Sequence, residues 1–209
     1  NATCGGEGDN EIIFLTSGAY TIPVLTNQMS VTYNTFTPPT TTYISSIASN
    51  AATITTMNTL AACGTLFVDA LTNEFIPVNA HFIIVRNTFC PNNYNMADFC
   101  AITPQPIYVI FSTDANWTTG GNFSNNSCPT NPNPRYFETD FSEGNIACIN
   151  NYDYDACLLN NSNGAFVTFN PTGGSATSYS GNNSSCNIPL VLPTNLLNFK
   201  AEKTETSSS

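Results

Sequence analysis

The chain has 209 residues, a formal net charge of −10 and only four lysine or arginine residues. A chain of this length fits one large all-β domain or two small ones. So few basic side chains argue against partners such as nucleic acid or anionic membrane surfaces, which need cations to displace phosphate counterions. The longest apolar runs, such as residues 82–85 and 107–111, are too short to span a bilayer, so no membrane insertion is expected.

Eight cysteines are the most informative feature of the composition. Their even number permits four disulfides, and the absence of C-x-x-C pairs disfavours zinc. Because disulfides persist in oxidising compartments, we expect an extracellular or cell-surface location. The sequence leaves the connectivity open, although Cys90 with Cys100 and Cys148 with Cys157 would each close a short polar loop. The predicted disulfide residues are Cys4, Cys63, Cys90, Cys100, Cys128, Cys148, Cys157 and Cys186.

Strand-forming residues recur along the chain with Gly, Pro and Asn between them, whereas helix-favouring residues are scarce. This rhythm predicts an all-β fold, a disulfide-bridged β-sandwich of immunoglobulin-like or jelly-roll-like type with long polar loops. Residues 81–85 and 107–111 are apolar on both faces, which predicts central strands covered on each side. In chain order the predicted strands are Glu11–Thr16, Ala19–Leu25, Met29–Phe36, Thr41–Ile47, Thr65–Ala70, His81–Phe89, Pro106–Ser112, Ala165–Phe169 and Asn187–Leu192.

Two stretches do not fit this rhythm. Ala51–Ala62 is ambiguous, because Ile54, Met57 and Ala61 could form a helical stripe while β-branched threonines weigh against a helix. Residues 113–186 are rich in Asn, Gly, Ser and Asp, which predicts long bridged loops with short strands.

The N-terminal stretch Asn10–Phe36, which we call the donor segment, is strand-prone and uncharged apart from Glu11. Lysine side chains on edge strands commonly prevent pairing with other chains, and this chain has almost no basic residues for that purpose. The segment could complete a neighbour's sheet by β-strand addition, or fold back as the first strand of its own sheet. Pro38-Pro39 is a candidate hinge, which predicts an N-terminal strand-rich extension over residues 1–37 and a main β-sandwich domain over residues 38–209.

Asn-X-Ser/Thr sequons are frequent, as chance predicts for a chain so rich in Asn, Ser and Thr. In an exported protein, accessible sequons are commonly glycosylated, so we expect covalent N-glycans. The loop that contains Asn116, Asn122 and Asn125 is the favoured location. The candidate sites are Asn1, Asn116, Asn122, Asn125, Asn160, Asn182 and Asn183.

No motif indicates catalysis. His81 is the sole histidine and opens an apolar strand, which favours a hydrogen-bonded core or strand-end role over a catalytic one. We therefore predict no catalytic residue, no cofactor and no enzymatic activity. A secreted glycoside hydrolase that uses a carboxylate pair is a minor alternative.

Two binding functions stay open. A disulfide-pinned loop with oxygen ligands can hold Ca²⁺, although carboxylates in a wet loop are usually just solvated, so no metal site is assigned. Aromatic side chains could instead stack on sugars. The acids considered are Asp153, Asp155, Asp140, Glu138 and Glu143, and the aromatics are Trp117, Tyr152 and Tyr154.

In composition and layout, and in the strand-prone Asn10–Phe36, the chain resembles secreted glycoprotein subunits of surface filaments, such as archaeal thread subunits built by donor-strand complementation. No diagnostic motif supports the resemblance, and no functional residue follows from it. It implies an extracellular structural glycoprotein that forms a filament or coat with copies of itself through the N-terminal strand. The alternative is a monomeric secreted carbohydrate-binding module.

Overall fold

The computed structural model describes residues 8–19, 21–24, 30–34, 41–42, 46–73, 75–117, 134–141, 149–159, 165–170 and 173–180. Most regular structure in these residues is β-sheet, which confirms the β-rich class. One α-helix, α1 (Ala51–Ala61), and short 3-10 segments at Gly8–Asn10, Ala70–Thr72, Pro91–Asn93, Met96–Ala101 and Ala156–Leu159 accompany the strands. The strands are β1 (Ile12–Thr16), β2 (Ile22–Pro23), β3 (Ser30–Asn34), β4 (Thr41–Thr42), β5 (Ile47–Ala48), β6 (Phe67–Asp69), β7 (Phe75–Ile76), β8 (His81–Arg86), β9 (Ile107–Ser112), β10 (Pro134–Asp140), β11 (Ile149–Asp155), β12 (Phe166–Thr168), β13 (Gly174–Ser175) and β14 (Ser178–Ser180).

Sheet one is built around β8 and β9, which pair in parallel. Strand β1 pairs antiparallel with the other edge of β8, while β5 and β6 share the far edge of β9. Every residue from His81 to Val85 is buried, and so are five of the six residues of β9. This confirms the prediction of central strands covered on both faces, because only side chains with apolar layers on each side can be buried without alternation.

The two faces of sheet one support two hydrophobic clusters. The inter-sheet cluster contains Phe82 and Ile84 together with Phe137 of β10 and Tyr152 of β11. The helix-side cluster contains Ile83 and Val85 with Met57 of α1 and other residues of the loops around it. Because the side chains of β8 alternate between the two clusters, this strand joins both halves of the core.

Sheet two has the order β13-β11-β10-β3-β4, counted over the described residues. The expectation of long loops over residues 113–186 is wrong for this part, since β10 and β11 are seven-residue strands paired along their whole length. Because these two strands contain many polar side chains, their composition resembles that of loops. In β10, buried Arg135, Phe137 and Thr139 alternate with partly exposed residues, which is the signature of a strand with one wet face.

The ambiguous stretch after residue 50 forms α1. Asn50 caps its start, where the side chain accepts a hydrogen bond from the Thr53 amide at 3.1 Å, and Ala62 ends it in the left-handed conformation. The threonine hydroxyls bond back to carbonyls one turn earlier, as Thr55 does to Ala51 at 2.9 Å. Buried Met57 and Ala61 then anchor the helix on sheet one, and this packing outweighs the low helix propensity of threonine.

One disulfide connects α1 to the loop between β8 and β9. It joins Cys63, just after the helix, to Cys100 in the segment Met96–Ala101, with Cα atoms 6.1 Å apart. The favoured local pair Cys90 with Cys100 is therefore wrong, because the fold brings the end of α1 closer to Cys100 than sequence distance suggests. Cys90 and Cys157 are also disulfide-bonded.

Three further predictions concern the direction of strand pairing and the bounds of two strands. Parallel pairing of β8 and β6 with β9 departs from the antiparallel sheets expected for an immunoglobulin-like or jelly-roll-like sandwich. The predicted strand Thr41–Ile47 is represented by the short β4 and β5. The predicted strand Asn187–Leu192 lies outside the described residues.

Candidate functional site

The described part of the donor segment contains three strands, and the first of them lies along β8. Strand β1 is an edge strand of sheet one among the described residues, with Ile13 opposite Ile84 and Thr16 opposite His81. Ile13 is buried in the inter-sheet cluster, and Ile12 packs against the helix-side cluster. The strand has no charged side chain, so apolar contacts and backbone hydrogen bonds hold it in this position.

The chain enters β1 through a polar contact. In the 3-10 segment Gly8–Asn10, the buried carboxylate of Asp9 accepts hydrogen bonds from the Arg86 guanidinium and the Thr88 hydroxyl. Arg86 is the last residue of β8, so the contact closes the end of the β1–β8 pair. Nothing in the local sequence reveals this ion pair, because its partners are 77 residues apart. The scarcity of basic residues was the available hint, since a buried acid in this chain has few cations to choose from.

Asn10 adds two hydrogen bonds beside the ion pair. Its backbone carbonyl accepts from the Tyr94 hydroxyl, and its side-chain oxygen accepts from the Asn93 amide at 2.7 Å. Tyr94 and Asn93 belong to the loop between β8 and β9, and the Tyr94 ring lies against Phe89 with ring centroids 5.6 Å apart. The residues that precede β1 are thus attached to the same part of the protein as the residues that follow β8.

The exit from β1 is equally specific. The Ser17 amide donates to the Ala80 carbonyl at 3.0 Å, while the Ser17 hydroxyl donates to the Pro77 carbonyl at 2.6 Å and accepts from the Ala80 amide at 3.0 Å. Farther along, β2 pairs antiparallel with β7, and β3 lies between β10 and β4 in sheet two. In this single chain, the three strands of the donor segment therefore pair with strands of the same chain.

His81 is a hydrogen-bonded residue at the start of a buried strand, as the sequence favoured. It is buried, its Nε2 atom lies 2.7 Å from the Thr103 carbonyl oxygen, and its Nδ1 atom lies 3.1 Å from the Thr16 hydroxyl. Both ring nitrogens are hydrogen-bonded within the fold. The imidazole joins the end of β1 to the loop before β9.

The acidic candidates on β10 and β11 share the partly exposed face of sheet two in the part of the chain that the structure describes. Asp153 and Asp155 lie on one face of β11, and Glu138 and Asp140 lie on the partly exposed positions of β10. Among the described residues, no three His, Cys, Asp or Glu side chains are grouped as a metal site would require. Glu143 lies outside those residues.

The aromatic candidates for sugar stacking are core residues. Trp117 is fully buried, and Tyr152 and Tyr154 are buried to a similar degree. Tyr152 stacks on Phe137 with ring centroids 5.0 Å apart. A sugar-stacking face must be open to the ligand, so the proposed role of these three side chains is wrong.

Of the seven sequons, Asn116 is the one within the described residues. It is exposed in a turn that follows β9, where its backbone N–H donates to the Asp114 carboxylate at 2.8 Å and the Trp117 backbone N–H donates to the Asp114 carbonyl at 3.2 Å. The buried side chain of Trp117 anchors this turn in the inter-sheet cluster. The other predicted sugar and disulfide residues that lie outside the described part of the chain are Asn1, Asn122, Asn125, Asn160, Asn182, Asn183, Cys4, Cys128, Cys148 and Cys186.

Within the described ranges, no helix has the length and apolar character needed to cross a membrane. Comparison with family models, with curated proteins and with solved structures found no match to this chain.

Proposed function

We propose that this chain is a non-enzymatic extracellular structural glycoprotein, a subunit of a surface filament or coat whose two large sheets form a disulfide-bridged β-sandwich. In this assembly, the N-terminal strand of one copy completes sheet one of the next. The observation that carries the proposal is the position of β1 at the edge of sheet one, seated on β8 by its own set of contacts.

An edge strand is the element that can be exchanged at least cost. Its pairing with β8 uses the same backbone hydrogen bonds and buries the same apolar side chains whether it comes from the same chain or from a neighbour. Burial of Ile13 alone favours an occupied edge by about 1.5–3 kcal/mol. Exchange therefore depends on subunit concentration and on the connection between β1 and β2, because β2 and β3 pair within the same chain.

The extracellular part of the proposal rests on the disulfides. The bond between Cys63 and Cys100 lies at the protein surface on the Cys63 side, where a reducing compartment would have access to it. Cys90 and Cys157 add to the cross-linking. Such bonds are maintained where the surroundings are oxidising.

The glycoprotein part of the proposal is tested at Asn116. Because this side chain is exposed in a turn while the neighbouring Trp117 is buried, a glycan at Asn116 is compatible with the folded state. We expect glycopeptide mapping of protein from its source to find glycan at Asn116. The Asn116→Gln variant should lack the mass of that glycan. After deglycosylation, the variant and the natural protein should have the same melting temperature. A bare Asn116 in secreted material contradicts the prediction.

Strand exchange is tested on the full chain. Copies labelled with ¹⁵N are mixed with unlabelled copies. Both kinds carry a photoreactive phenylalanine analogue in place of Phe14 on β1. Cross-links between β1 and β8 are then identified by mass spectrometry. Exchange gives cross-links of mixed isotope composition whose share rises with protein concentration.

The matched control places the same analogue at Leu60 on α1, because Leu60 and Phe14 are equally exposed at 38 %. Cross-links from position 60 should stay within one copy. If those from position 14 also join only segments of the same isotope at every concentration, β1 is not exchanged and the assembly proposal fails.

A further inference from the structure

Strand β1 lies against the edge of β8, a position that we call the seat. A charged contact is found at the entrance of this seat, where β1 begins. Asp9 is 4 % exposed, and its carboxylate meets the Arg86 guanidinium and the Thr88 hydroxyl. A buried carboxylate is costly without a cation and hydrogen bonds, so Asp9 is stable only where these partners are present. Of the other basic residues, Arg135 is buried in sheet two, while Lys200 and Lys203 lie outside the described residues.

Apolar contacts fix the register of β1 only in part. A slide of two residues along β8 keeps some apolar side chains on each face, although it brings Glu11 to the position of Ile13 or Ser17 to the position of Leu15. The same slide would move Asp9 by about 7 Å from Arg86. It would also break the hydrogen bonds from Asn93 and Tyr94 to Asn10. Only the observed register satisfies the polar groups at the entrance.

We propose that Asp9 and Arg86, with Asn10, Asn93 and Tyr94, form a recognition clamp that selects the occupant of the seat beside β8. The occupant is the N-terminal segment of this chain, in which Asp9-Asn10 directly precedes Glu11 and the apolar strand. The clamp sets the register of β1 within one chain together with the Ser17 contacts at the exit of the strand. Its selection of a second copy's segment rests on the proposed strand exchange.

The first test uses the full chain and needs no exchange between copies. In Asp9→Asn and in Arg86→Gln, hydrogen exchange at the bonded amides of Ile12–Thr16 should become about tenfold to a hundredfold faster, because each change removes the charge that faces the other partner of a largely buried ion pair. The double variant should be no faster than the faster single variant, because the two side chains act as one pair.

Asp98→Asn is the matched control. Asp98 is also a carboxylate in a 3-10 segment, where it accepts a hydrogen bond from the side-chain amide of Asn95 at 2.7 Å. Its removal should leave the exchange of β1 unchanged. Unchanged exchange in Asp9→Asn, or full additivity in the double variant, overturns the clamp.

The second test separates the clamp from strand exchange. Labelled peptides of residues 7–24, with the natural sequence, with Asp9→Asn, or with the same residues scrambled, are incubated with the full-length protein. We expect the natural peptide to be taken up about tenfold better than the Asp9→Asn peptide, and the scrambled peptide to be excluded. Equal uptake of the first two overturns selection by the clamp. If no peptide is taken up while Asp9→Asn still loosens β1, the clamp stands within one chain and the proposed exchange between copies is wrong.

Discussion

Single polar side chains hold separate elements of this protein together. Asn58, on the face of α1 that meets sheet one, is the clearest case. Its side-chain oxygen accepts from the amides of Leu66 at 2.9 Å and Phe67 at 2.7 Å, and its amide donates to the Phe67 carbonyl at 2.9 Å. Leu66 and Phe67 are fully buried, so Asn58 supplies hydrogen bonds that water could not.

Replacement of Asn58 by alanine should therefore destabilise the fold out of proportion to its size. It removes the partner that Asn58 gives to the Phe67 amide and carbonyl, while the Leu66 amide keeps its bond to the Gly64 carbonyl, and we expect a loss of about 2–4 kcal/mol in the free energy of unfolding. Urea denaturation with the disulfides intact measures it. Thr59→Ala, on the exposed face of the same helix, should change stability by less than about 0.5 kcal/mol. A similar small effect for Asn58→Ala would show that this side chain does not hold β6 to α1.

At the scale of elements, α1 and the Cys63–Cys100 disulfide act together. The helix packs on sheet one through Met57 and Ala61, and the bond immediately after it attaches its end to the loop that precedes β9. Threonine-rich helices gain little from propensity, so this attachment compensates for a weak helix.

Removal of this bond has a calculable consequence. Cys63 and Cys100 are 37 residues apart, and closing a loop of that length restricts the unfolded chain by about 4 kcal/mol. The variant in which both are alanine should lose stability of about this size in urea denaturation, while the other disulfides remain. A loss below about 1 kcal/mol would mean that the bond does not constrain the unfolded chain as the loop-closure argument requires.

At the scale of the whole molecule, sheet one is the shared wall between two hydrophobic clusters. Ile83 points to the helix-side cluster and Ile84 to the inter-sheet cluster, and both are fully buried. The single tryptophan, Trp117, lies in the inter-sheet cluster and reports on that side alone.

We expect Ile83→Ala and Ile84→Ala each to cost about 2–5 kcal/mol, because each leaves a cavity in a packed cluster. If the layers unfold as one unit, Ile83→Ala should lower the midpoint seen by Trp117 fluorescence as much as the midpoint seen by circular dichroism. Leu158→Ala, which removes a side chain 48 % exposed, should leave both midpoints nearly unchanged. Separation of the two midpoints in Ile83→Ala would show that the layers unfold independently.

The sequence by itself determined the features that depend on local composition and periodicity. Uninterrupted apolar runs placed β8 and β9 at the centre, and the lone His81 at the start of an apolar strand is buried and hydrogen-bonded, as predicted. The strand-prone N-terminus predicted β1 within one residue of its start. These results follow from side-chain burial, which leaves its mark on neighbouring residues of the same strand.

Tertiary structure alone decided the features that join distant residues. The α-helix at Ala51–Ala61 exists because Met57 and Ala61 find a buried surface on sheet one, although threonine disfavours helices. The strands β10 and β11 form because they pair with each other and cover the inter-sheet cluster, which their polar composition does not reveal. The Asp9–Arg86 contact and the Cys63–Cys100 bond depend on which loops the fold brings together, and no local pattern encodes that proximity.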